Sequence, residues 1–365
     1  MRVLILGGTG AMGEHLVSIL STCNHHVSVT TRSDRKSSNP NICYIKGNAH
    51  DLPFIRSLLS KEHFDAIVDF MHYSTAEFTE RYSYLLNNTE HYLYLSSARV
   101  YAEPQEPITE DSPRLLDACK DEAYLSTDDY ALAKAKQENL LLLSGKKNFT
   151  IIRPYMTFSE QRLQLGVFEK EDWLIRAIHG KPIVFSKDIA KHYTTLTYGY
   201  DVSTAIAGLV GNDKAKGETF HIATDQNIKW ADVAKLYQKV LSDHFKREVK
   251  VVYAEKCYCL DSFASQWAVK YSRYFDYKYD NSKICSILPE LKFMDTREGL
   301  ESCLREFLRH PQFKSINAYS QARMDRESCT FLPLSIWSSN RARLKYLIYR
   351  YAPMFIIRRK LRIRK

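Results

Sequence analysis

Residues 7–13, Gly-Gly-Thr-Gly-Ala-Met-Gly, follow directly on the apolar run Val3–Leu6 and lead straight into Glu-His-Leu-Val-Ser-Ile-Leu. Four of the thirteen glycines in the chain fall within these seven positions, so the turn is built for a purpose. The apolar run predicts a strand and the segment after the glycines a helix. Gly7 suits the tight turn, Gly10 lets backbone approach a pyrophosphate, and Gly13 permits close packing of helix on strand. The helix N-terminus adds amide donors and partial positive charge. A glycine-rich loop that closes a first strand and opens a helix predicts a dinucleotide site rather than a plain turn. Gly7, Thr9, Gly10, Met12 and Gly13 are its candidate cofactor-binding residues.

The rest of the first half fits that start. Short apolar runs predict strands at Val3–Leu6, His26–Thr30, Cys43–Lys46, Ala66–Phe70, Tyr92–Ser96 and Thr150–Arg153. Helical periodicity falls between them at 12–21, 51–60, 76–87 and 128–144, and later at 170–179, 201–210, 230–243 and 296–309. Such alternation predicts an α/β fold with a doubly wound parallel (Rossmann) sheet. The expected domains are a dinucleotide-binding unit over 1–165 with 190–210 returning to it, a smaller substrate-binding lobe over 166–310, and a C-terminal extension over 311–365. Ligands in such folds sit beyond the carboxyl ends of the strands.

The net charge of +10 is local. Ten Lys and Arg and no acid lie between Trp337 and Lys365, so the remaining 42 basic residues balance 42 acidic ones. That distribution argues against a nucleic-acid-binding body and for a basic appendage on a neutral one. Eight cysteines without a CxxC pair are expected to be reduced, mostly buried thiols, and no metal site is expected. No charged leader or signal-length apolar core is present, and no stretch nears the roughly 20 apolar residues of a membrane span. The expectation is a cytoplasmic protein.

The predicted second strand ends Val-Thr-Thr-Arg-Ser at 29–33. An acid there would accept from a ribose 2′-hydroxyl; instead Arg32 offers a partner to a 2′-phosphate, which favours NADP over NAD. After the third strand, Asn48 is placed to bond an adenine edge, and Asp51 to cap the following helix.

Tyr130-Ala-Leu-Ala-Lys134 places a phenol and an ammonium on one helix face. The same spacing recurs at Tyr274/Lys278 and Tyr279/Lys283, so the pentapeptide alone decides nothing. Its neighbours do. The fifth predicted strand ends in Ser96-Ser97-Ala98-Arg99 and delivers hydroxyls to the ligand edge of the sheet. A phenol, whose ordinary pKa is about 10, needs nearby positive charge to exchange protons near neutrality. Ser97, Tyr130 and Lys134 are therefore the candidate catalytic set for oxidising an alcohol or reducing a ketone.

GGTGAMG, SSARVY, YALAK, IIRPYMTF and YGYDVSTAIAGLV occur in an order and spacing that resemble the extended short-chain dehydrogenase/reductase family, the NAD(P)-dependent nucleotide-sugar epimerases, dehydratases and reductases. The resemblance runs over roughly residues 1 to 310. It implies Ser97, Tyr130 and Lys134 as catalytic, Lys134 also on the nicotinamide ribose, and Phe70 along the cofactor. It further implies substrate contacts from Arg99 and Tyr155, a nucleotide-sugar substrate and a homodimer. Members that dehydrate carry Asp-Glu where this chain has Ala98-Arg99, which disfavours dehydration. The arginine that binds the substrate diphosphate is replaced nearby by Lys191 and His192. The expected activity is epimerisation or keto-reduction; the alternative is a regulatory or RNA-binding protein on the same fold.

The segment 341–352, RARLKYLIYRYA, predicts a helix with Leu344, Leu347, Ile348 and Tyr351 on one side, stopped by Pro353. With the basic IIRRKLRIRK after it, residues 337–365 are expected to touch the inner face of a membrane.

Overall fold

Strand β1 (Arg2–Leu6) lies inside a seven-stranded sheet, paired in parallel with β2 (His26–Thr31) on one side and with the central strand β4 (Phe64–Asp69) on the other. Beyond β2 lies β3 (Ile42–Lys46); beyond β4 come β5 (Thr89–Leu95), β6 (Phe149–Pro154) and an edge strand, Thr219–Ile222. All pairings in this sheet are parallel. The computed structural model describes residues 1–105, 107–261 and 265–357.

A strand with both faces covered sends alternate side chains to opposite cores. Val3 and Ile5 enter one, with Val27, Val29, Ala66, Val68, Leu93 and Leu95. Leu4 and Leu6 enter the other, with Ile67, Tyr92, Tyr94 and Ile151. The first layer is closed by helix α1 (Gly13–Thr22), through Leu16, Val17 and Leu20, and by the helix Gly199–Leu209, through Val202, Ile206 and Leu209. The second is closed by α2 (Leu52–Lys61), α3 (Thr75–Thr79) and α4 (Tyr82–Asn87). Two short helices, α5 (Leu115–Ala118) and α6 (Glu122–Leu125), precede α7 (Tyr130–Leu142).

The chain divides into two compact units that do not follow chain order. The first contains 1–159, 195–226 and 278–294, and the second 160–194, 227–277 and 295–365. The returning segment is thus longer than the 190–210 read from sequence, because the edge strand and the stretch at 278–294 join the first unit too. Asp201, in the Gly199–Leu209 helix, fastens that stretch by accepting from the Met294 amide at 2.7 Å.

In the second unit, Ile183–Ser186 pairs in parallel with Val251–Ala254. Around this ladder lie the helices Lys170–Ile178, Trp230–Phe245, Thr296–Arg309, Ala318–Glu327 and Asn340–Tyr351. Trp173 stacks on Tyr237 with ring centroids 4.5 Å apart. Arg176 forms a fully buried ion pair with Asp325 at 2.9 Å. Described residues between Ile316 and Ile357 thus contribute to a core of the second unit. All eight cysteines are free, as expected, yet only Cys257 and Cys303 are buried; Cys23, Cys43 and Cys329 are exposed.

Candidate active site

The glycine turn has the geometry that a phosphate cradle requires. Gly7 adopts φ +75°, where a side chain would be strained, and its amide donates to Thr30 Oγ1 at 3.1 Å. A Cβ on Gly13 would meet the Gly8 backbone at 2.6 Å, so the start of α1 lies directly on the turn. Gly10 is exposed, with no heavy atom within 4 Å of where its Cβ would be. Met12, the N-cap of α1, makes no side-chain cap bond, and the Glu14 amide turns back to donate to the Gly10 carbonyl at 3.0 Å. Its carbonyl accepts from Ser203 Oγ at 2.8 Å. Thr9 and Met12 are half-buried, the latter packed on the sheet core.

Arg32 lies just past β2, exposed, and forms no ion pair among the described residues. Nearby Asp34 is held by Lys46 at 2.7 Å, and Arg35 by Glu14 at 3.2 Å. Asn48 is exposed; its Oδ1 accepts from the His50 amide at 3.2 Å, and its NH2 is available to a ligand. Asp51 occupies the N-cap of α2 without a side-chain cap bond, contrary to expectation. Phe70 is half-buried against the sheet core.

Strand β5 stops at Leu95, and Ser97 caps the short turn Ala98–Val100. Ser97 Oγ accepts from the Arg99 amide at 3.2 Å, so its own hydroxyl hydrogen is left to donate. Tyr130 opens α7, with Asp129 as its N-cap. One turn later, Lys134 is buried with its ammonium donating to the Leu95 carbonyl at 2.7 Å and the Met71 carbonyl at 3.4 Å. Burial draws its pKa down to about 8 from 10.5, with Asp69 and Glu138 pulling the other way. The Met71 sulfur also lies 2.7 Å from where a Gly7 Cβ would be. Met71 thus links the cradle to the lysine.

Arg99 joins this group. Its guanidinium carbon lies 5.2 Å from the centroid of the Tyr130 ring, while the His72 ring is 5.0 Å from it on centroids. Arg99 Nη2 approaches Asp129 at 3.9 Å, too far for a hydrogen bond. Its buried Nε and Nη2 have no hydrogen-bond partner among the described residues. Tyr155 is buried, its ring 5.5 Å from that of Tyr279. Of the other Tyr-x-x-x-Lys pairs, Tyr274 donates to Asp188 at 2.7 Å and Tyr279 is buried. In the second unit, Lys191 is exposed and His192 is held by Asp276 at 3.2 Å.

Two buried acids escaped the sequence reading. Asp69, at the end of β4, accepts from Tyr92 at 2.8 Å and the Met71 amide at 2.9 Å; burial raises its pKa. Glu138 takes both arms of Arg153 at 2.8 Å, Ser96 Oγ at 2.5 Å and Arg114 at 3.1 Å. It ties β6, the end of β5 and α7 into one rigid frame. Its signal was available: Glu138 follows Lys134 by four residues on the same helix face.

A glycine turn after the first strand, a hydroxyl just past β5, and a phenol and ammonium one turn apart on α7 point to a dinucleotide-dependent class. Residues 3–223 match the NAD dependent epimerase/dehydratase family, and the chain belongs to it. Among curated relatives, a chloroplast stem-loop binding protein of 41 kDa from Arabidopsis thaliana is 29% identical over 254 residues, 65% of this chain and 62% of that protein. The 2'-dehydrokanamycin reductase of Streptomyces kanamyceticus is 25% identical over 244 residues, 66% of each. The match thus spans less than two thirds of either relative. Solved structures share the fold: the epimerase Mth375 of Methanothermobacter thermautotrophicus has a TM-score of 0.66 at 16% identity, covering 84% of this chain and 92% of that one. For the UDP-glucuronic acid 4-epimerase of Bacillus cereus the values are 0.63 and 14%, over 85% and 99%.

Proposed function

We propose that the protein is an NADP-dependent ketoreductase or epimerase of a nucleotide-linked sugar, with Ser97, Tyr130 and Lys134 as its catalytic set. The observation that carries this is the seat of Lys134. Its ammonium lies against the carbonyls that end β5 and follow β4, one helical turn after Tyr130 and two residues before Ser97 in the strand direction. The cradle fits a dinucleotide, since open space faces Gly10 while Gly13 presses α1 onto the turn. Gly7, Thr9, Gly10, Met12 and Gly13 would hold the pyrophosphate, Asn48 and Phe70 the flanking parts, and Arg32 a 2′-phosphate. A bound nicotinamide supplies the hydride donor or acceptor.

The chain's own residues handle the proton. Ser97 donates to the reacting oxygen and orients it. Tyr130 gives that oxygen its proton in reduction and takes it in oxidation. Lys134 lies one helical turn beyond Tyr130 on α7, and the Arg99 guanidinium carbon lies 5.2 Å from the Tyr130 ring centroid. The unpartnered Nε and Nη2 of Arg99 serve a polar or anionic substrate group. Tyr155 is assigned to substrate binding, and a homodimer is part of the same reading. Ala98-Arg99, in place of an acidic pair, speaks against dehydration. Arg32 and the reductase among the relatives favour reduction over epimerisation.

The test is ultraviolet absorbance of purified protein with NADPH and 4-keto nucleotide sugars. Stoichiometric NADPH loss supports reduction; retained cofactor with interconverted sugars supports epimerisation. Tyr130→Phe is expected to lower turnover by about 10²–10⁴-fold and leave NADPH binding unchanged. Unaltered turnover in that variant would sink the catalytic assignment. A second reading, nucleic-acid stem-loop binding, has the name of the Arabidopsis relative behind it. It requires stem-loop affinity that is indifferent to Tyr130→Phe and falls steeply with salt.

A further inference from the structure

We infer that the C-terminal helix Asn340–Tyr351 is a peripheral anchor that lays an apolar stripe onto an anionic lipid bilayer. Leu344, Ile348 and Tyr351 stand at steps of four and three, one line along a helix, and are 60%, 43% and 67% exposed. Just past the stop at Pro353, Phe355 is 73% exposed and Ile356 is exposed beside it.

The stripe is not a core face left open. The helix has a separate inward face, where Tyr346 and Tyr349 are buried with Leu332, Trp337 and Ile357. Trp337 stacks on Tyr346 at 4.8 Å, and the Tyr346 hydroxyl donates to Asp325. The expected apolar side is therefore the solvent side, apart from half-buried Leu347.

Charge selects the occupant. No acid follows Glu327, whereas Arg341 and Lys345 are exposed beside the stripe. The two acids at the end of the preceding helix are neutralised: Asp325 by Arg176 at 2.9 Å, and Glu327 by Arg323 at 3.6 Å. Six more basic residues follow in 358–365, which lies outside the described residues. An apolar stripe with a positive rim matches acyl chains beneath anionic headgroups. Nucleic acid would use the cations, yet Leu344, Ile348 and Ile356 have neither charge nor π face to offer it. A second copy would bring like charges together. No described helix is long and apolar enough to cross a membrane, so the helix lies in the interface plane.

The experiment is co-sedimentation of the full chain with vesicles of phosphatidylcholine alone, or of phosphatidylcholine and phosphatidylglycerol in equal parts. Binding is expected only to the anionic vesicles, weakening as salt rises. The variant Leu344→Gln/Ile348→Gln/Phe355→Gln is expected to bind about tenfold more weakly with an unchanged circular-dichroism melt. In a second arm, a tryptophan introduced by Ile348→Trp should shift its emission to the blue on anionic vesicles. Failure of the parent to sediment, parental binding by the triple variant, or no blue shift each overturns the proposal. So does a dimer, or an RNA complex, that the triple substitution dissolves in place of vesicle binding.

Discussion

Lys134 shows how burial and function pull against each other in one side chain. Its pKa lies near 8 in the folded chain and returns to 10.5 when unfolding exposes it. Between those values the unfolded chain holds the proton and the folded one does not, so stability rises with pH across that window. Below about 8 both forms are charged and the full penalty, on the order of 3 kcal/mol, is present. Melting curves of the parent and of Lys134→Met should thus draw together as pH climbs from 8 to 10.5, with the parent gaining, and keep a fixed offset below 8. A constant offset throughout would mean that the ammonium keeps its water. The positions of Ser97 past β5 and of Tyr130 and Lys134 on one helix were legible because strand ends and helix spacing are local. Asp69 and Arg99 acquire their surroundings from segments far away in sequence, and no local pattern announces a buried carboxylate or an unpartnered guanidinium.

At the scale of elements, the glycine turn makes two separable demands. Gly13→Ala puts a methyl 2.6 Å from the Gly8 backbone and should cost about 1–3 kcal/mol in urea unfolding, along with cofactor binding. Gly10→Ala meets open space and should leave stability within about 0.5 kcal/mol while weakening NADPH binding, read by fluorescence titration. Equal loss of stability in both would show that the turn is structural throughout. Every strand predicted in the first half is present, with ends shifted by up to three residues, since a two-sided apolar run needs only its own pattern. The helix read over 76–87 is instead broken into α3 and α4. Arg81 turns inward there, donating to the carbonyls of Ala49, His50 and Glu77 and lying 4.3 Å from the Tyr73 ring centroid. That is a tertiary demand that periodicity could not reveal.

On the scale of the molecule, the second unit depends on Arg176. Its guanidinium meets Asp325, Ser328 and Thr330, joining residues some 150 positions apart. Arg176→Leu would strand a buried carboxylate and is expected to cost about 3–5 kcal/mol in denaturant unfolding. Adding Asp325→Asn, which removes the stranded charge while its amide oxygen can still accept from the neighbouring donors Thr330, Leu332 and Tyr346, should restore part of it; no recovery in the double variant would show that the unpaired charge is not the cause. The sequence hid this dependence, and the interleaving of the two units, because both arise from contacts between distant stretches. The interleaving bears on synthesis. When a ribosome has finished β6, that strand's outer row of amides and carbonyls has no neighbour, and the strand that covers it begins only at Thr219. Until then the nascent sheet carries a raw flank able to recruit stray strands. Cutting the gene at the end of its dinucleotide motifs would make that transient hazard permanent.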